Sequence, residues 1–367
     1  MNKPATQTES INQRLLGLTP YEPGKPEEEL ARELGITDIV KLASNENPRG
    51  PGPTVRDAIA AEVAQLSRYP DGHGYDLKQV LAQQIDCEPE RITLGNGSNE
   101  LLDLVARVTL DAGCEAIITE HGFVAYPLAI IAAGGTPVVV PAREYNQDLS
   151  ATLAAITPKT RLIFIANPNN PTGNWHTHAE LDGFLAKVPP QVWVVLDQAY
   201  YEYIGERDVA DGMRLRHDYP NLIVTRSFSK AYGLAALRVG YGLSSPLMAD
   251  LLNRVRLPFN TNRLAQVAAT AALSDPDYVR ESRMLNDAGQ TQLAAGLSAL
   301  GLDAIDSLAN FITVDFSRPA VPIYEALLQR GVIVRPIGGY GLPNHLRITV
   351  GLEAENARLL DALRDIV

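Results

Sequence analysis

The chain has little cysteine: two thiols, Cys87 and Cys114, in 367 residues. This excludes a disulfide-built scaffold and is typical of a reducing compartment, and the spacing of the two thiols fits no metal site. The sequence also lacks a long apolar run, because the longest, residues 126–142, is interrupted by two glycines and a proline. The first ten residues are polar, without a signal-peptide core. We therefore predict a cytoplasmic protein with no membrane segment.

Basic residues are also scarce. There are 32 Lys and Arg against 43 Asp and Glu, for a net charge of −11. A surface of that sign argues against a nucleic-acid partner or an anionic membrane. The rest of the composition, 46% hydrophobic and 20% charged, is that of a soluble globular protein, and the length is sufficient for two domains.

Between residues 91 and 243 the sequence alternates between apolar strand patterns and helical patterns. This alternation predicts an α/β fold, in which a mostly parallel sheet is flanked by helices. The later part of the chain predicts a smaller α+β domain, with strands at 311–316, 332–335 and 345–350 and a final helix at 354–366. The predicted strands of the large sheet are 91–94, 115–119, 136–140, 161–166, 192–196, 221–225 and 239–243.

Lys230 is the most informative residue because of the segment in which it lies. A strand pattern begins at Asn221 and ends in Ser227, Ser229 and Lys230, and Arg238 follows eight residues later. Hydroxyls, a lysine and an arginine beyond a strand end can cradle a phosphate beside a primary amine. Pyridoxal 5′-phosphate (PLP) requires that arrangement for its Schiff base. By itself the segment is equally compatible with a surface lysine after a strand.

Two further strand patterns end in polar residues of the types that this cofactor needs. The strand at 161–166 leads to Asn170, and the strand at 192–196 leads to Asp197 and then Tyr200. The carboxyl ends of strands in an open α/β sheet are where ligands bind. We therefore expect one site with a carboxylate for the pyridine nitrogen, donors for the phenolic oxygen and Lys230 for the aldehyde.

Three motifs in combination carry a family resemblance: Asn-Pro-Thr-Gly from residue 170, Asp-x-x-Tyr from residue 197, and Ser-x-Ser-Lys from residue 227 with Arg238 beyond it. Over nearly its full length the chain resembles the fold-type I PLP-dependent (class II) aminotransferases. The resemblance implies a seven-stranded sheet with one antiparallel strand and a discontinuous small domain. The predicted parts are an arm with part of the small domain at 1–54, a large PLP-binding domain at 55–262 and a small C-terminal domain at 263–367.

A second phosphate-binding element is predicted at residues 95–100, where small residues lead into a helix. The free N–H groups and the dipole of a helix N-terminus favour an anion. The alternative is that Ser98 or Asn99 merely caps the helix. Together with Lys230, the pattern favours a PLP phosphate site built from Gly97, Ser98, Asn99, Ser227, Ser229 and Arg238.

The remaining cofactor roles follow from the chemistry of PLP. Asp197 is expected to keep the pyridine nitrogen protonated, so that the ring can accept the electrons left when the substrate Cα proton departs. Asn170 and Tyr200 are expected to donate to the phenolic oxygen. Lys230 is expected to be the imine partner at rest and a general acid/base during turnover.

Two aromatic residues are assigned through the resemblance. Phe123 lies where the family stacks a ring on the cofactor. Tyr69 matches a tyrosine that reaches the PLP phosphate of the neighbouring subunit, which implies a homodimer with shared active sites. His73 and His121 are weaker candidates for a base, since Lys230 fills that role.

The ends of the chain resemble histidinol-phosphate aminotransferases, in residues 19–26, 41–48, 334–336, 339–343 and 346–351. The resemblance implies that Arg347 holds the group on the Cα side of the substrate, here a phosphate ester. Compared with a carboxylate, the phosphate ester has more negative charge and more hydrogen-bond acceptors, which Arg335 and the Tyr21 hydroxyl would suit. Asn45 is also assigned to the substrate. The alternative for Arg335 is a surface residue at the end of an edge strand.

The reaction implied is L-histidinol phosphate plus 2-oxoglutarate giving imidazole acetol phosphate plus glutamate, in histidine biosynthesis, by a ping-pong mechanism through pyridoxamine phosphate. The partners are thus a small amino donor and a 2-oxo acid. An aromatic amino acid aminotransferase is the alternative, because relatives share these motifs and a pocket for imidazole can take phenyl. A PLP-dependent decarboxylase or lyase is a third reading. A PLP-binding regulatory module is a fourth, against which the acidic charge argues.

Overall fold

A computed structural model describes residues 11–367, and the polar segment before them, in which no signal peptide is predicted, lies outside the described residues. The strands are β1 Val40–Lys41, β2 Ile92–Gly95, β3 Glu115–Thr119, β4 Thr136–Val140, β5 Ala142–Arg143, β6 Asn146–Gln147, β7 Thr160–Ala166, β8 Trp193–Asp197, β9 Leu222–Ser227, β10 Gly240–Leu243, β11 Asp303–Ile305, β12 Phe311–Asp315, β13 Val332–Ile333, β14 Arg335–Pro336 and β15 His345–Thr349. The α-helices are α1 Glu27–Leu34, α2 Pro53–Glu62, α3 Tyr75–Ile85, α4 Ser98–Thr109, α5 Ala125–Ala132, α6 Leu149–Ala154, α7 His178–Leu185, α8 Gly212–Leu215, α9 Pro246–Val255, α10 Arg263–Leu273, α11 Pro276–Ala299, α12 Val321–Leu328 and α13 Glu353–Arg364. Within these described residues, no helix combines the length and apolarity needed to cross a bilayer.

The large domain is built on a seven-stranded sheet in the order β2-β10-β9-β8-β7-β3-β4. β10 runs antiparallel to both of its neighbours, and the other strand pairs are parallel. The predicted α/β fold, with one antiparallel strand, is confirmed. Because β7, β8 and β9 are central, their carboxyl ends lie side by side, which brings the three predicted strand ends together.

Helices cover both faces of this sheet, and the side chains of β7 show why the strand reads as continuously apolar. Leu162 and Phe164 point into one core with α4, α5 and α9. Ile163 and Ile165 point into the opposite core with α3, α7 and α10. Successive strand residues face opposite sides, so a strand buried on both faces needs apolar residues at every position.

Helix α10 packs with the large domain, against α2 and α3. Its residues Ala265, Ala268 and Ala269 are fully buried in the core beneath the sheet. The small domain is predicted to begin at residue 263, where α10 begins. In the structure, α10 shares the core of the large domain. The packing partner changes after α10, where Asp275 caps α11.

The small domain is a four-stranded antiparallel sheet in the order β11-β12-β15-β14, packed with α11, α12 and α13. The arm joins it through β1, which pairs with β13 in parallel register. The continuous strand predicted at 332–335 is therefore wrong. The segment divides at Val334, because β13 hydrogen-bonds to the arm whereas β14 pairs with β15.

Candidate active site

A cavity of about 260 Å³ lies between the carboxyl ends of β7, β8 and β9 and the small domain. It brings together most of the residues that the sequence assigns to a site. Three of them, Gly97, Tyr69 and Arg335, do not line it. Those that do are Tyr21, Asn45, Ser98, Asn99, Phe123, Asn170, Asp197, Tyr200, Ser227, Ser229, Lys230, Arg238 and Arg347.

Lys230 projects into this cavity from the turn that follows β9. Its Nζ donates to the backbone carbonyl of Ser44 at 3.2 Å and lies 5.8 Å from the centre of the Tyr200 ring. Burial and, to a smaller extent, the positive charge of Arg347 lower the pKa of Lys230 to about 8, while the carboxylate of Glu46 opposes this. A lysine of that pKa supplies a neutral amine near physiological pH, as a nucleophile or a proton acceptor requires.

Asp197 ends β8 and is buried, 6% exposed. Its Oδ2 accepts from the hydroxyl of Tyr126 at 3.1 Å, and its Oδ1 accepts from that of Thr225 at 3.3 Å. Burial raises the pKa of Asp197 to about 6, and the hydrogen bond from Tyr126 opposes the rise. A buried carboxylate without a cation in direct contact is suited to pair with a protonated nitrogen from a ligand.

Tyr200 is fixed by residues from the arm and the small domain. Its hydroxyl accepts from Asn45 Nδ2 at 2.9 Å, and Asn45 is held in turn by Thr349, whose Oγ1 accepts from its backbone N–H at 2.9 Å. The Tyr200 ring packs edge-on against Phe311. Because the hydroxyl already accepts one hydrogen bond, its own hydrogen remains to be donated into the cavity.

Arg347, on β15, reaches the cavity from the small domain and is 6% exposed. Its Nη1 donates to Asn170 Oδ1 at 2.5 Å, and its Nη2 donates to the Ala43 carbonyl at 3.0 Å. Its Nε is buried and has no hydrogen-bond partner. A buried guanidinium with neutral partners and a spare donor favours an anionic ligand.

The N-terminus of α4 forms one side of the cavity. The helix begins at Ser98, with Gly97 as N-cap and no capping side chain, so the alternative in which Ser98 or Asn99 caps the helix is wrong. Gly97 has a φ of +78°, and a Cβ at this position would lie 2.3 Å from Arg238 Nη2. Glycine is therefore required by both the conformation and the close approach of the arginine.

Arg238 and the two serines complete this corner. Arg238 Nη1 donates to Ser229 Oγ at 3.1 Å, and the Ser229 N–H donates to Ser227 Oγ at 3.0 Å. A guanidinium, hydroxyls and the uncapped start of a helix thus line one corner of the cavity. This is the donor set of a phosphate site.

Arg335 lies outside this cavity, in a neighbouring one of about 660 Å³. Its Nη2 donates to the Glu22 carbonyl, and its guanidinium lies 5.7 Å from the centre of the Tyr21 ring. The register of β14 and β15 places Arg335 directly opposite Arg347. Arg335 is half-buried and lies on β14, the edge strand of the small-domain sheet, so its assignment to the substrate stays a prediction.

Tyr69 also lies outside the cavity of its own chain. It is 79% exposed, and its ring stacks on Phe259 with centroids 4.6 Å apart. His73 is exposed, whereas His121 is half-buried and bonds through Nδ1 to the Tyr340 carbonyl. Neither histidine lines the cavity.

Among the lining residues that had no role in the sequence reasoning are two tyrosines, Tyr126 and Tyr340. Tyr126 follows Phe123 by three residues, a spacing that puts both side chains on one side of a helical turn. Tyr340 stands among glycines in the segment Gly338–Gly341, where a single large side chain was the available signal.

Comparisons with known proteins agree with one another. The aminotransferase class I and II family matches residues 37–363. Histidinol-phosphate aminotransferase 2 of Pseudomonas fluorescens is 57% identical over 352 residues, which cover 95% of each chain, and that of Pseudomonas aeruginosa is 55% identical with the same coverage. A solved histidinol-phosphate aminotransferase from Sinorhizobium meliloti, in complex with PLP, has a TM-score of 0.90 and 30% identity and covers 99% of this chain and 100% of its own.

Proposed function

Because the chain belongs to the aminotransferase class I and II family, we propose that it transfers the amino group of L-histidinol phosphate to 2-oxoglutarate, with PLP as cofactor. The products are imidazole acetol phosphate and glutamate, in histidine biosynthesis. Relatives up to 57% identical over nearly the whole chain are named for this activity. The structural observation that carries the choice of donor is the opposed pair of Arg335 and Arg347 beside the lysine cavity.

The residues present fit the cofactor. Its phosphate would be held by the N–H groups at the start of α4 and by Ser227, Ser229 and Arg238, a donor set that has no anionic partner of its own. Gly97 has no Cβ, which allows the Arg238 guanidinium to lie close to the start of α4. Phe123 would lie against the ring, and Asn170 and Tyr200 would donate to its phenolic oxygen.

When bound, PLP supplies an aldehyde for the amino group and a ring that accepts the electron pair left at Cα. Asp197 would hold the proton on the ring nitrogen, because its buried carboxylate is oriented by Tyr126 and Thr225. Lys230, with its pKa lowered to about 8, would take the proton from the substrate Cα and return it at the carbon of the cofactor that carried the aldehyde.

The donor would be held by its phosphate. Arg347 offers a buried Nε without a partner, and Arg335 adds a second charge from the opposing strand. Arginine–phosphate contacts are bidentate and charge-assisted, which suits a dianion. An aromatic amino acid presents a single carboxylate with one negative charge. It would therefore neutralise Arg335 and Arg347 less completely than a phosphate dianion does, and this alternative donor is not favoured.

The active unit would be a homodimer. Supporting this, Tyr69 exposes most of its ring and stacks on the exposed Phe259, and large apolar side chains close to one or the other in sequence are also exposed: Val63, Leu66, Tyr75 and Leu257. A contiguous exposed apolar patch favours a protein interface. In that interface Tyr69 would reach the phosphate site of the partner subunit. The free thiols Cys87 and Cys114 support the cytoplasm as the compartment.

A half-reaction screen tests the proposed donor. Purified holoenzyme is mixed with histidinol phosphate, histidinol, phenylalanine or tyrosine, without an acceptor, while the cofactor absorbance is followed to its aminated form. Histidinol phosphate should react at the lowest concentration. Faster reaction with phenylalanine would assign the chain to the aromatic amino acid aminotransferases instead.

A further inference from the structure

The turn Gly338–Tyr340 carries a tyrosine that the assignments above leave without a role. The turn belongs to the small domain, and its glycines are exposed while the Tyr340 side chain is half-buried. Tyr340 lines both the 260 Å³ cavity of Lys230 and the 660 Å³ cavity of Arg335, and Tyr21 is the other residue that lines both. The two tyrosine rings therefore form the wall between the cavities that hold the two arginines.

The surroundings of the Tyr340 hydroxyl are positively charged. Burial raises the pKa of this hydroxyl, and Arg347 and Arg335 both oppose the rise, as does a hydrogen bond from the backbone of Val124. The phenol hydroxyl carries one hydrogen, which requires an acceptor. An anion placed between the two guanidinium groups would be that acceptor.

The turn is also attached to the large domain. His121 lies in the loop after β3, and its Nδ1 is 2.6 Å from the Tyr340 carbonyl oxygen. The same imidazole packs against Gly341, where a Cβ would lie 3.4 Å from the ring. His121 has a φ of +56°, and it precedes Phe123 by two residues. The imidazole thus joins the loop of Phe123 to the turn of Tyr340.

We propose that Tyr340 is a specificity-determining residue that donates to the phosphate of the amino donor, and that His121 positions it by holding the backbone of its turn. The inference rests on the proposed function, because it presumes a phosphate between Arg335 and Arg347. It adds a recognition group from the small domain and a positioning residue from the large one.

The decisive variant is Tyr340→Phe, which keeps the ring and removes the donor. A hydrogen bond to a charged group is worth enough that kcat/KM for histidinol phosphate should fall about 10- to 100-fold. The half-reaction with phenylalanine should change less than about 2-fold. Tyr145→Phe is the matched control, since it removes a hydroxyl from a ring that packs near His121 and His345 but lines neither cavity.

Two variants of His121 test the positioning role. Asparagine places its Nδ2 where histidine has Nδ1 and tolerates a positive φ, whereas glutamine places its amide at the position of Nε2. His121→Asn should retain KM for histidinol phosphate, and His121→Gln should raise it about 5-fold at unchanged kcat. Equal behaviour of the two variants would overturn the proposed role of the Nδ1 contact.

Calorimetric titration of the holoenzyme with inorganic phosphate separates this inference from the proposed function. Weaker phosphate binding in Tyr340→Phe than in wild type and Tyr145→Phe supports the inference, whichever donor the wild type prefers. Unchanged phosphate affinity, or equal losses on histidinol phosphate and phenylalanine, overturns it. A wild type that prefers phenylalanine overturns the proposed function alone.

Discussion

Arg335 and Arg347 lie directly opposite each other on the antiparallel strands β14 and β15. Directly opposed residues share one face of a sheet, and like charges in that position destabilise it. The hydrogen-bond partners of both guanidinium groups are neutral oxygens: the carbonyls of Glu22 and Ala43 and the side chain of Asn170. Such a pair is explained by a ligand that brings negative charge to it.

The first prediction follows from this pair. Arg347→Gln should reduce kcat/KM for histidinol phosphate about 30- to several-thousand-fold, because a buried charge that loses its partner costs roughly 2–5 kcal/mol. Arg335→Gln should reduce it more for histidinol phosphate than for phenylalanine. Equal losses on the two donors, in steady-state kinetics, would show that Arg335 does not read the phosphate.

Replacement of Lys230 by alanine should abolish turnover while the protein remains folded. The amine that lies in the cavity is the group that must join the cofactor and move the Cα proton. The variant should lose the absorbance band that arises when lysine is bonded to the cofactor, with unchanged circular dichroism. Lys159→Ala, at an exposed site, is the matched control. Normal transamination by Lys230→Ala would overturn the entire assignment.

Asp197→Asn should give a folded enzyme that binds the cofactor but reacts at least ~100-fold more slowly, a loss of about 2.7 kcal/mol in transition-state stabilisation. The asparagine amide has the same shape as the carboxylate and fits beside Tyr126 and Thr225. It carries no negative charge, however, and so cannot stabilise a proton on the pyridine nitrogen. Single-turnover rates with histidinol phosphate measure this. Near-normal rates would mean that the carboxylate does not face the nitrogen.

The same substitution should stabilise the cofactor-free protein, and more so at high pH. Burial raises the pKa of Asp197 from 3.8 to about 6, so the stability associated with its protonated form is lost as the pH rises through about 6. Asparagine does not titrate, and the full difference is about 3 kcal/mol. Urea unfolding should show the advantage of Asp197→Asn growing by about 1 kcal/mol between pH 5 and pH 8. A constant advantage would contradict the raised pKa.

Tyr69 is predicted to serve the partner's site. Mixing inactive Tyr69→Ala and Lys230→Ala proteins should then recover activity, since each hybrid dimer contains one site with both residues intact. A mixture of Asp197→Asn and Lys230→Ala is the control, because both changes lie in the same chain's cavity and no intact site forms. Absence of recovery in verified hybrids would remove Tyr69 from the shared site.

The strand-end residues were predictable because their signals are local. Asp197 ends its strand, and Asn170 and Lys230 lie within four residues of the end of theirs. Neighbouring central strands bring such ends together. The same alternation of patterns predicted the mostly parallel sheet, and the family resemblance implied its seven strands and its one antiparallel strand. The small domain was less predictable, since the segment 332–335 reads as one strand but divides between two partners.

By itself, then, the sequence determined the sheet, the order along the chain of the polar residues at its strand ends, and the family that these residues indicate. Each of these depends on spacing within a short segment. Only the tertiary structure decided which distant residues meet there. Asn45 contacts Tyr200 across 155 positions, and His121 contacts Tyr340 across 219. Contacts of that separation depend on how two domains pack, and side-chain packing between domains leaves no periodic pattern in either segment.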